Sequence, residues 1–297
     1  MTSTEVLILV NPKSGRGKAL DIALGLLKFA QKNAVTAVLL EPIDAKAAIT
    51  DLREALSRTT YRAVIAIGGD GLVHLASQVL SGSGVPLFIV PAGTGNDVAR
   101  SNSLITTNPS EIFETIRSRK PRLIDVGKIV VNQENRNFVQ ILSTGFDAQV
   151  NEWANQNRFV TGKMKYNFAT LAVLPAFRKI DYELEVDGKQ RRFKAMLVAV
   201  ANGASYGGGM QLCPMADRSD GFLDIMILHP VSKLELLKVF PRVYSGKHVT
   251  HPAVEFVRAK TVRLNANTVA YADGERIGRL PISVSIEPHH LATWMAS

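Results

Sequence analysis

Apolar runs in the first 125 residues alternate with segments whose apolar residues recur at helical spacing. Runs such as EVLILV, AVIAIG and PLFIV each end in a loop rich in glycine or proline, which is typical of buried strands in a parallel sheet. The pattern predicts strands over 5–10, 35–40, 63–71 and 86–95 and helices over 17–32 and 45–58. Alternating strands and helices predict an α/β domain over residues 1–125, with ligands bound at the carboxyl ends of its strands.

The pattern changes after about residue 125. Segments such as RLIDVGKIVV, GFLDIMIL and ISVSIEP are β-like with fewer intervening helices. Asp187-Gly188 separates the β-like segments DYELEV and RRFKAMLVAVAN, as a hairpin turn would. Helical insertions are predicted at about 151–177 and 232–246. We therefore expect an antiparallel β-sandwich domain over residues 126–285. The last residues, about 286–297, could return to the first domain.

Composition narrows the partners and the compartment. The formal net charge of +9 suits an anionic partner, such as a phosphate group, a nucleic acid or an acidic membrane surface. The basic residues are dispersed and aromatic residues make up only 7%, so a nucleic-acid partner is not expected. There is no apolar stretch of membrane-spanning length and no signal-peptide pattern, and a single cysteine, Cys213, excludes an internal disulfide. We expect a cytoplasmic protein.

Three glycine-rich loops follow predicted strands of the first domain. Asn11-Pro12-Lys13-Ser14-Gly15 follows the first strand and combines glycine with positive charge, although a plain strand-to-helix turn uses the same residue types. Gly68-Gly69-Asp70-Gly71 places one carboxylate among three glycines, more than a tight turn needs. In Thr94-Gly95-Asn96-Asp97, the threonine can donate to phosphate and the last two residues can cap a helix. These loops predict a nucleotide-phosphate site.

The motifs NPKSG, GGDG and PAGTGND, each after a strand and in this order, resemble the diacylglycerol kinase catalytic domain shared by bacterial lipid kinases, sphingosine kinases and ceramide kinases. The resemblance spans the chain from Asn11 to about Pro288. It implies ATP as phosphoryl donor, bound in a cleft between the two domains, with Asp70 in a catalytic role. The family usually has threonine and asparagine where this chain has Leu72 and His74. The implied nucleotide-binding residues are Asn11, Pro12, Lys13, Ser14, Gly15, Gly68, Gly69, Asp70, Gly71, Leu72, Thr94, Gly95, Asn96 and Asp97.

Two acidic segments of the second domain complete the resemblance. The stretch CPMADRSDGF resembles the part of bacterial lipid kinases that holds Mg²⁺, which implies the Asp220 carboxylate and the Asp217 and Phe222 carbonyls as ligands. Asp273-Gly274-Glu275 matches a family DGE segment, and phosphoryl transfer needs a base for the hydroxyl proton. Glu275 is the predicted base, with Asp273 as its rival or orienting partner. From the residues alone, each Asp-Gly pair is equally natural as a hairpin turn.

The resulting hypothesis is a Mg²⁺-dependent lipid kinase that transfers the γ-phosphoryl group of ATP to a hydroxyl of diacylglycerol or a related lipid. Such a protein needs peripheral contact with an anionic membrane surface, and a homodimer is left open. The alternatives are a kinase of another hydroxyl substrate, similar to NAD kinases, and a catalytically inactive nucleotide-binding regulator. The residues do not identify the lipid, because hydrophobic pockets discriminate acyl length poorly.

Overall fold

A computed structural model describes residues 5–156 and 164–296. The chain divides into two units, one of Met1–Ile124 with His289–Ser297 and one of Asp125–Pro288. Within the described residues, no helix is both long enough and apolar enough to cross a membrane.

The first unit is built on a parallel sheet. Strand β1 lies between β2 and β3, and β3 in turn pairs with β4; all three pairings are parallel, with Ile8 opposite Ile65 and Ile65 opposite Phe88. The elements are β1 (Val6–Val10), α1 (Lys18–Lys32), β2 (Ala37–Leu40), α2 (Ala45–Arg58), β3 (Ala63–Gly68), α3 (Asp70–Leu80), β4 (Leu87–Pro91), α4 (Asp97–Asn102) and α5 (Pro109–Ser118). Strands β1 and β3 are buried along their whole length, which explains why their sequences are uninterrupted apolar runs.

The last residues of the chain complete the first unit. Thr293 pairs in parallel with Leu87 of β4, and its Oγ1 donates to the Leu87 carbonyl over 2.8 Å. The Trp294 indole packs against Phe88 with 5.6 Å between ring centroids, and its Nε1 donates to the Arg119 carbonyl over 3.0 Å. The side chain of Asn102 donates to the Trp294 carbonyl over 3.1 Å.

The second unit contains two antiparallel sheets. One has the strand order β12-β11-β10-β7-β14-β15; in the other, β9 pairs with β8, β8 with β13 and β13 with β16, and β5 pairs with β6. Its elements, together with β5 and β16 that begin or end in the first unit, are β5 (Arg122–Val131), β6 (Glu134–Phe138), β7 (Ile141–Gly145), α6 (Phe146–Gln156), α7 (Met164–Val173), β8 (Ile180–Val186), β9 (Lys189–Ala195), β10 (Leu197–Ala201), β11 (Leu223–Leu228), α8 (Lys233–Val239), β12 (Val254–Ala259), β13 (Thr261–Ala266), β14 (Val269–Ala272), β15 (Glu275–Arg279) and β16 (Ile282–Thr293).

The central strands of the six-stranded sheet, β7, β10 and β11, are buried on both faces. One face packs against the other sheet in a core that includes Leu142, Val198 and Leu264. The opposite face carries Ala199 and Met226 and is covered by helical residues, which adds a third layer to the sandwich.

The predicted parallel sheet and antiparallel sandwich are both confirmed. The hairpin at Asp187-Gly188 forms between β8 and β9, and the insertion at 232–246 contains α8 followed by 3₁₀ turns. The insertion predicted at 151–177 begins earlier, because β7 ends at Gly145 (φ 76°) and α6 starts at Phe146. The sequence STGF, which spans this boundary, is typical of a strand and so concealed the start of the helix. Residues 157–163 of that insertion lie outside the described part of the chain.

Candidate active site

The three glycine-rich loops of the first unit lie in direct backbone contact with one another. A Cβ on Gly93 would stand 2.5 Å from the Gly69 Cα, and one on Gly15 would stand 2.6 Å from the Ala92 carbonyl oxygen. Real Cβ atoms do not approach that closely, so both positions require glycine. The loops could be found in the sequence because parallel strands end at the same edge of a sheet. Their mutual packing holds the three loops together at this edge.

Asp70 and Asp97 form an acidic pair where these loops meet. The Asp97 amide donates to Asp70 Oδ1 over 2.6 Å, and the Val98 amide donates to the same oxygen over 3.4 Å. Burial, and after it the nearby Asp97 carboxylate, raise the pKa of Asp70 to about 6 against the opposing effect of the backbone hydrogen bonds. A nearby cation or a hydrogen-bond donor from a ligand would relieve this accumulation of negative charge.

The loop after β4 has a different internal structure from the predicted helix cap. Asn96 occupies the N-cap position of α4, but its side chain makes no capping bond. Its Oδ1 accepts from the Gly93 amide over 3.0 Å and its Nδ2 donates to the Gly93 carbonyl over 2.8 Å, so it closes the loop on itself. Asp97 lies in the first helical turn, buried, with its Oδ1 2.9 Å from an Arg100 nitrogen. Thr94 is exposed at the tip of the loop.

Leu72 and His74, the two departures from the family pattern, are both buried in α3. The Leu72 side chain packs against Gly68, and its amide donates to the Gly69 carbonyl over 3.1 Å. Leu72 therefore supports the GGDG loop from below, through packing rather than through a hydroxyl. In the loop after β1, Lys13 is exposed and its amide donates to Asn11 Oδ1 over 3.1 Å.

Asp273 and Glu275 have different surroundings in the second unit. Asp273 adopts a positive φ of 50°, and its two carboxylate oxygens accept from the amides of Val139 (2.7 Å), Gln140 (2.9 Å) and Ile141 (3.2 Å). Glu275 begins β15 with an exposed side chain. In the described part of the chain, the Glu275 carboxylate has no hydrogen-bond or ion-pair partner. Asp273 holds backbone, whereas Glu275 is available to a ligand.

A buried arginine connects Asp273 to the predicted magnesium segment. Arg218 is buried, which lowers the pKa of its guanidinium to about 10, while the Asp217 and Asp273 carboxylates favour its charge. The Arg218 carbonyl accepts from the Asp125 amide over 2.6 Å, and the Asp125 carboxylate accepts from the Gly221 amide over 2.7 Å. Segment 217–222 is therefore fixed to the interior of the second unit.

The oxygen atoms of this segment are suitable ligands for a hard cation, although they are few. Asp220 Oδ1 accepts from the Phe222 amide over 3.0 Å, and Oδ2 pairs with Arg258, whose guanidinium lies 4.5 Å from the centre of the Phe222 ring. Asp217 Oδ1 accepts from Ser219. No cluster of three or more His, Cys, Asp or Glu side chains suited to a metal occurs in residues 5–156 and 164–296. One carboxylate with carbonyls and water nevertheless fits Mg²⁺, which prefers oxygen and retains water.

An apolar cavity of about 40 Å³ lies in the second unit, between the six-stranded sheet and its helical cover. Its wall is apolar except for Asp147, Tyr206 and His248. Burial raises the pKa of Asp147, whose Oδ2 accepts from Ser143 over 2.5 Å and from Asn151 over 3.0 Å. His248 donates from Nε2 to the Leu212 carbonyl over 2.9 Å, while no described group pairs with its buried Nδ1. Burial lowers the pKa of His248, so the ring favours the neutral form, with Nδ1 as an acceptor.

The structure brings the predicted nucleotide residues together at one edge of the first unit, and places Asp217, Asp220, Phe222, Asp273 and Glu275 in the second unit. Sequence reasoning missed Asp125, Asp147 and His248. Asp125 is the one acid inside the largely apolar strand β5, and Asp147 lies two residues after the end of strand β7, so both could have been noticed in the sequence. His248 lies in a short polar segment without periodicity and carried none.

Comparison with known proteins agrees with this arrangement. Residues 5–129 match the diacylglycerol kinase catalytic domain, and residues 140–295 match the YegS C-terminal NAD kinase beta sandwich-like domain. The chain is 39% identical over 287 residues to a diacylglycerol kinase of Mycobacterium tuberculosis, which covers 96% of this chain and 93% of the relative. This chain belongs to the bacterial diacylglycerol kinase family.

More distant members share the same organisation. A diacylglycerol kinase of Bacillus subtilis is 27% identical over 286 residues, which covers 92% of this chain and 90% of the relative. The crystal structure of a diacylglycerol kinase from Bacillus anthracis superimposes with a TM-score of 0.73 at 21% identity, over 100% of this chain and 98% of that one. At that identity the structural likeness shows the fold alone.

Proposed function

We propose that this protein transfers the γ-phosphoryl group of ATP to a hydroxyl of diacylglycerol or a related lipid, in a Mg²⁺-dependent reaction. Membership of the family supports kinase activity. The observation that carries the lipid part of the proposal is the cavity of the second unit, whose largely apolar wall includes the polar groups of Asp147, Tyr206 and His248. Ligand pockets combine apolar walls with a few polar groups in this way.

The cavity suits an acyl chain in chemistry but not yet in size. Its volume of about 40 Å³ is small beside the roughly 300–1,000 Å³ of pockets that enclose drug-sized ligands. Met210 and Met226 line it, and methionine side chains adapt to irregular spaces more readily than branched ones. The cavity must therefore widen when a lipid enters, with Nδ1 of His248 as an acceptor for the polar end of the ligand.

The glycine-rich loops of the first unit are the proposed phosphate site. Their backbone amides and the exposed Lys13 and Thr94 provide donors and positive charge for the phosphates of ATP. Asp70 and Asp97 would lie beside these phosphates with a shared need for a cation. Pro12, Ser14 and Gly15 belong to the first of these loops and are therefore part of the proposed phosphate site.

Glu275 is the proposed base. Its carboxylate accepts the proton of the lipid hydroxyl as the hydroxyl oxygen bonds to the γ-phosphorus. The bond from that phosphorus to the oxygen bridging the β- and γ-phosphates breaks, and ADP leaves with the electron pair. Asp273 is a positioning residue, because its carboxylate already binds three backbone amides and thereby fixes the turn that carries Glu275.

The proposed magnesium ligands are the Asp220 carboxylate and the carbonyls of Asp217 and Phe222. An ion bound there would supply positive charge. The Asp125 carboxylate, through the Gly221 amide, holds the same loop from its other side.

The test is a transfer assay with γ-labelled ATP and Mg²⁺, in parallel arms containing diacylglycerol, ceramide, sphingosine and NAD. We expect label in the lipid-extracted product of the diacylglycerol arm or of a related lipid. Label confined to the NAD arm would replace the proposal with an NAD kinase-like function. ATP binding without transfer in any arm would indicate a nucleotide-binding regulator.

A further inference from the structure

The α8 segment, residues 233–247, has apolar side chains on both of its faces. Leu236 and Val239 point inward, 4% and 5% exposed, and line the cavity. On the other side, Leu234 is 73% exposed and Leu237 is 37% exposed, and the two lie three positions apart on one helical face. Tyr244, 43% exposed, adds an exposed aromatic ring in the 3₁₀ turn that follows. An exposed leucine side chain gains no free energy from its contact with water.

Positive charge surrounds these outer side chains. Glu235 is the one acidic residue of the segment and lies 3.2 Å from the ring of His251. No carboxylate in the described residues forms an ion pair with any of the segment's four basic side chains. The exposed basic residues of the segment are Lys233, Lys238, Arg242 and Lys247. Four positive charges and one negative charge leave the segment at +3 at neutral pH.

We propose that the outer face of the α8 segment docks on an anionic lipid bilayer. Interfacial helices combine exposed leucine and aromatic side chains with flanking lysine and arginine, and these are the residue types found here. Charge complementarity selects the partner: the segment's excess of +3 suits anionic headgroups and would repel the equivalent segment of a second copy of this chain.

The inner face of the segment links docking to lipid entry, an argument that rests on the proposed function. Leu236, Val239, Phe240 and Val243 form part of the cavity wall, so the docked segment separates the cavity from the bilayer by one layer of side chains. Displacement of that layer would admit an acyl chain from the membrane without exposing it to water. The same displacement would provide the enlargement that the cavity of about 40 Å³ needs.

The experiment measures docking apart from catalysis. Cosedimentation is carried out with phosphatidylcholine vesicles with and without phosphatidylglycerol, in the absence of diacylglycerol and ATP. We expect wild-type protein to bind the anionic vesicles at low salt and to lose affinity as salt rises. Leu234→Glu with Leu237→Glu should weaken binding by about 10-fold or more, because two apolar contacts are replaced by charges that the headgroups repel. Lys238→Glu with Arg242→Glu should weaken it by about 5-fold or more per residue, on anionic vesicles only.

Matched control variants lie on and beside α2 of the first unit. Ile43 is 87% exposed, and Lys46 and Arg53 are exposed basic residues of α2. Ile43→Glu, and Lys46→Glu with Arg53→Glu, should bind vesicles as the wild type does. Equal binding by the α8-segment variants and the wild type would overturn the proposal, as would a wild type that binds no anionic vesicle.

Two further readouts separate the alternatives. If Leu234→Glu converts a dimer to a monomer in solution while vesicle binding is unchanged, the face is an interface between copies and the docking proposal fails. Phosphorylation of a short-chain, water-dispersed diacylglycerol should be close to normal in the α8-segment variants. Absence of that activity in the wild type, with vesicle binding intact, would refute the proposed function and leave the docking surface standing.

Discussion

The amide of Asp97 donates a hydrogen bond of 2.6 Å to the carboxylate of Asp70, so the backbone that carries one acid holds the other acid in place. Two carboxylates meet at the edge of the sheet where the glycine-rich loops lie. The arrangement is unfavourable for folding on its own, because burial and the second charge both disfavour ionised Asp70. A polar site that costs stability in the free protein is typical of a binding site.

Replacement of Asp70 should therefore stabilise the protein while removing its activity. The pKa of Asp70 is raised to about 6 in the folded protein, so the folded state binds the proton more tightly than the unfolded chain. Wild-type stability gains as pH falls from above 6 towards 4, and that gain is absent in Asp70→Asn. The variant should exceed the wild type in free energy of unfolding at pH 8, by about 1–3 kcal/mol, and the difference should shrink below pH 6.

Thermal unfolding across this pH range, with a transfer assay at pH 8, checks both parts. Glu41→Gln, which removes an exposed carboxylate in the loop after β2, is the control and should change neither quantity. An Asp70→Asn variant with near-normal turnover would remove Asp70 from the nucleotide site. A destabilised variant would show instead that the Asp70 carboxylate supports the fold.

Glu275→Gln should preserve the fold and ATP binding and lower transfer by roughly 100-fold or more, because an amide cannot accept the hydroxyl proton. Its melting temperature should equal that of the wild type, since the side chain is exposed. Turnover, nucleotide affinity and melting temperature are the three measurements. Full turnover by this variant would show that the base lies elsewhere.

Asp273→Asn should behave differently, since its carboxylate accepts three backbone hydrogen bonds. An amide retains one acceptor oxygen, so we expect a loss of about 1–3 kcal/mol in the free energy of unfolding together with reduced transfer. Denaturant unfolding measures the first effect. If stability is unchanged while transfer falls further than in Glu275→Gln, the roles of the two acids are reversed.

Asp220→Asn should raise the Mg²⁺ concentration needed for half-maximal activity by about 10-fold or more, because a neutral amide is a poorer ligand for a hard cation. Nucleotide binding should persist, since the phosphate loops belong to the first unit. Asp181→Asn, at an exposed acid 3.4 Å from Lys194, is the matched control. An unchanged magnesium titration would reduce Asp220 to a turn residue paired with Arg258.

Val150→Phe should fill the cavity and lower kcat/KM for long-chain diacylglycerol by about 10-fold or more, with a smaller effect on short-chain substrate. Overpacking should cost about 1–3 kcal/mol of stability, so folding is checked by thermal unfolding. Val130→Phe makes the same change at a side chain that is 40% exposed on β5 and should leave both substrates unaffected. Equal losses for short and long chains would place the acyl chain outside this cavity.

Local patterns were sufficient to predict the parallel sheet and the glycine-rich loops that follow its strands. Strand β3 and the loop after it are adjacent in sequence, and topology then brings the loop after β4 to the same edge. The contrast between Asp273 and Glu275 could not be predicted, because it depends on amides about 130 residues away. The cavity could not be predicted either, because its wall combines Asp147, Leu212 and His248 from three separate segments of the sequence. Long-range packing decides such features, and sequence periodicity does not record it.

The pairing of Thr293 with Leu87 also determines when the first unit can be completed during synthesis. The ribosome makes β4 early, but the strand end, the indole of Trp294 and their hydrogen bonds arrive only after the entire second unit has been translated. Until then, one edge of β4 has no strand beside it and Phe88 lacks the aromatic ring that packs against it. The first unit therefore cannot complete its sheet and core until residues 289–297 have been made. A fragment cut after Ile124 would permanently lack these contacts.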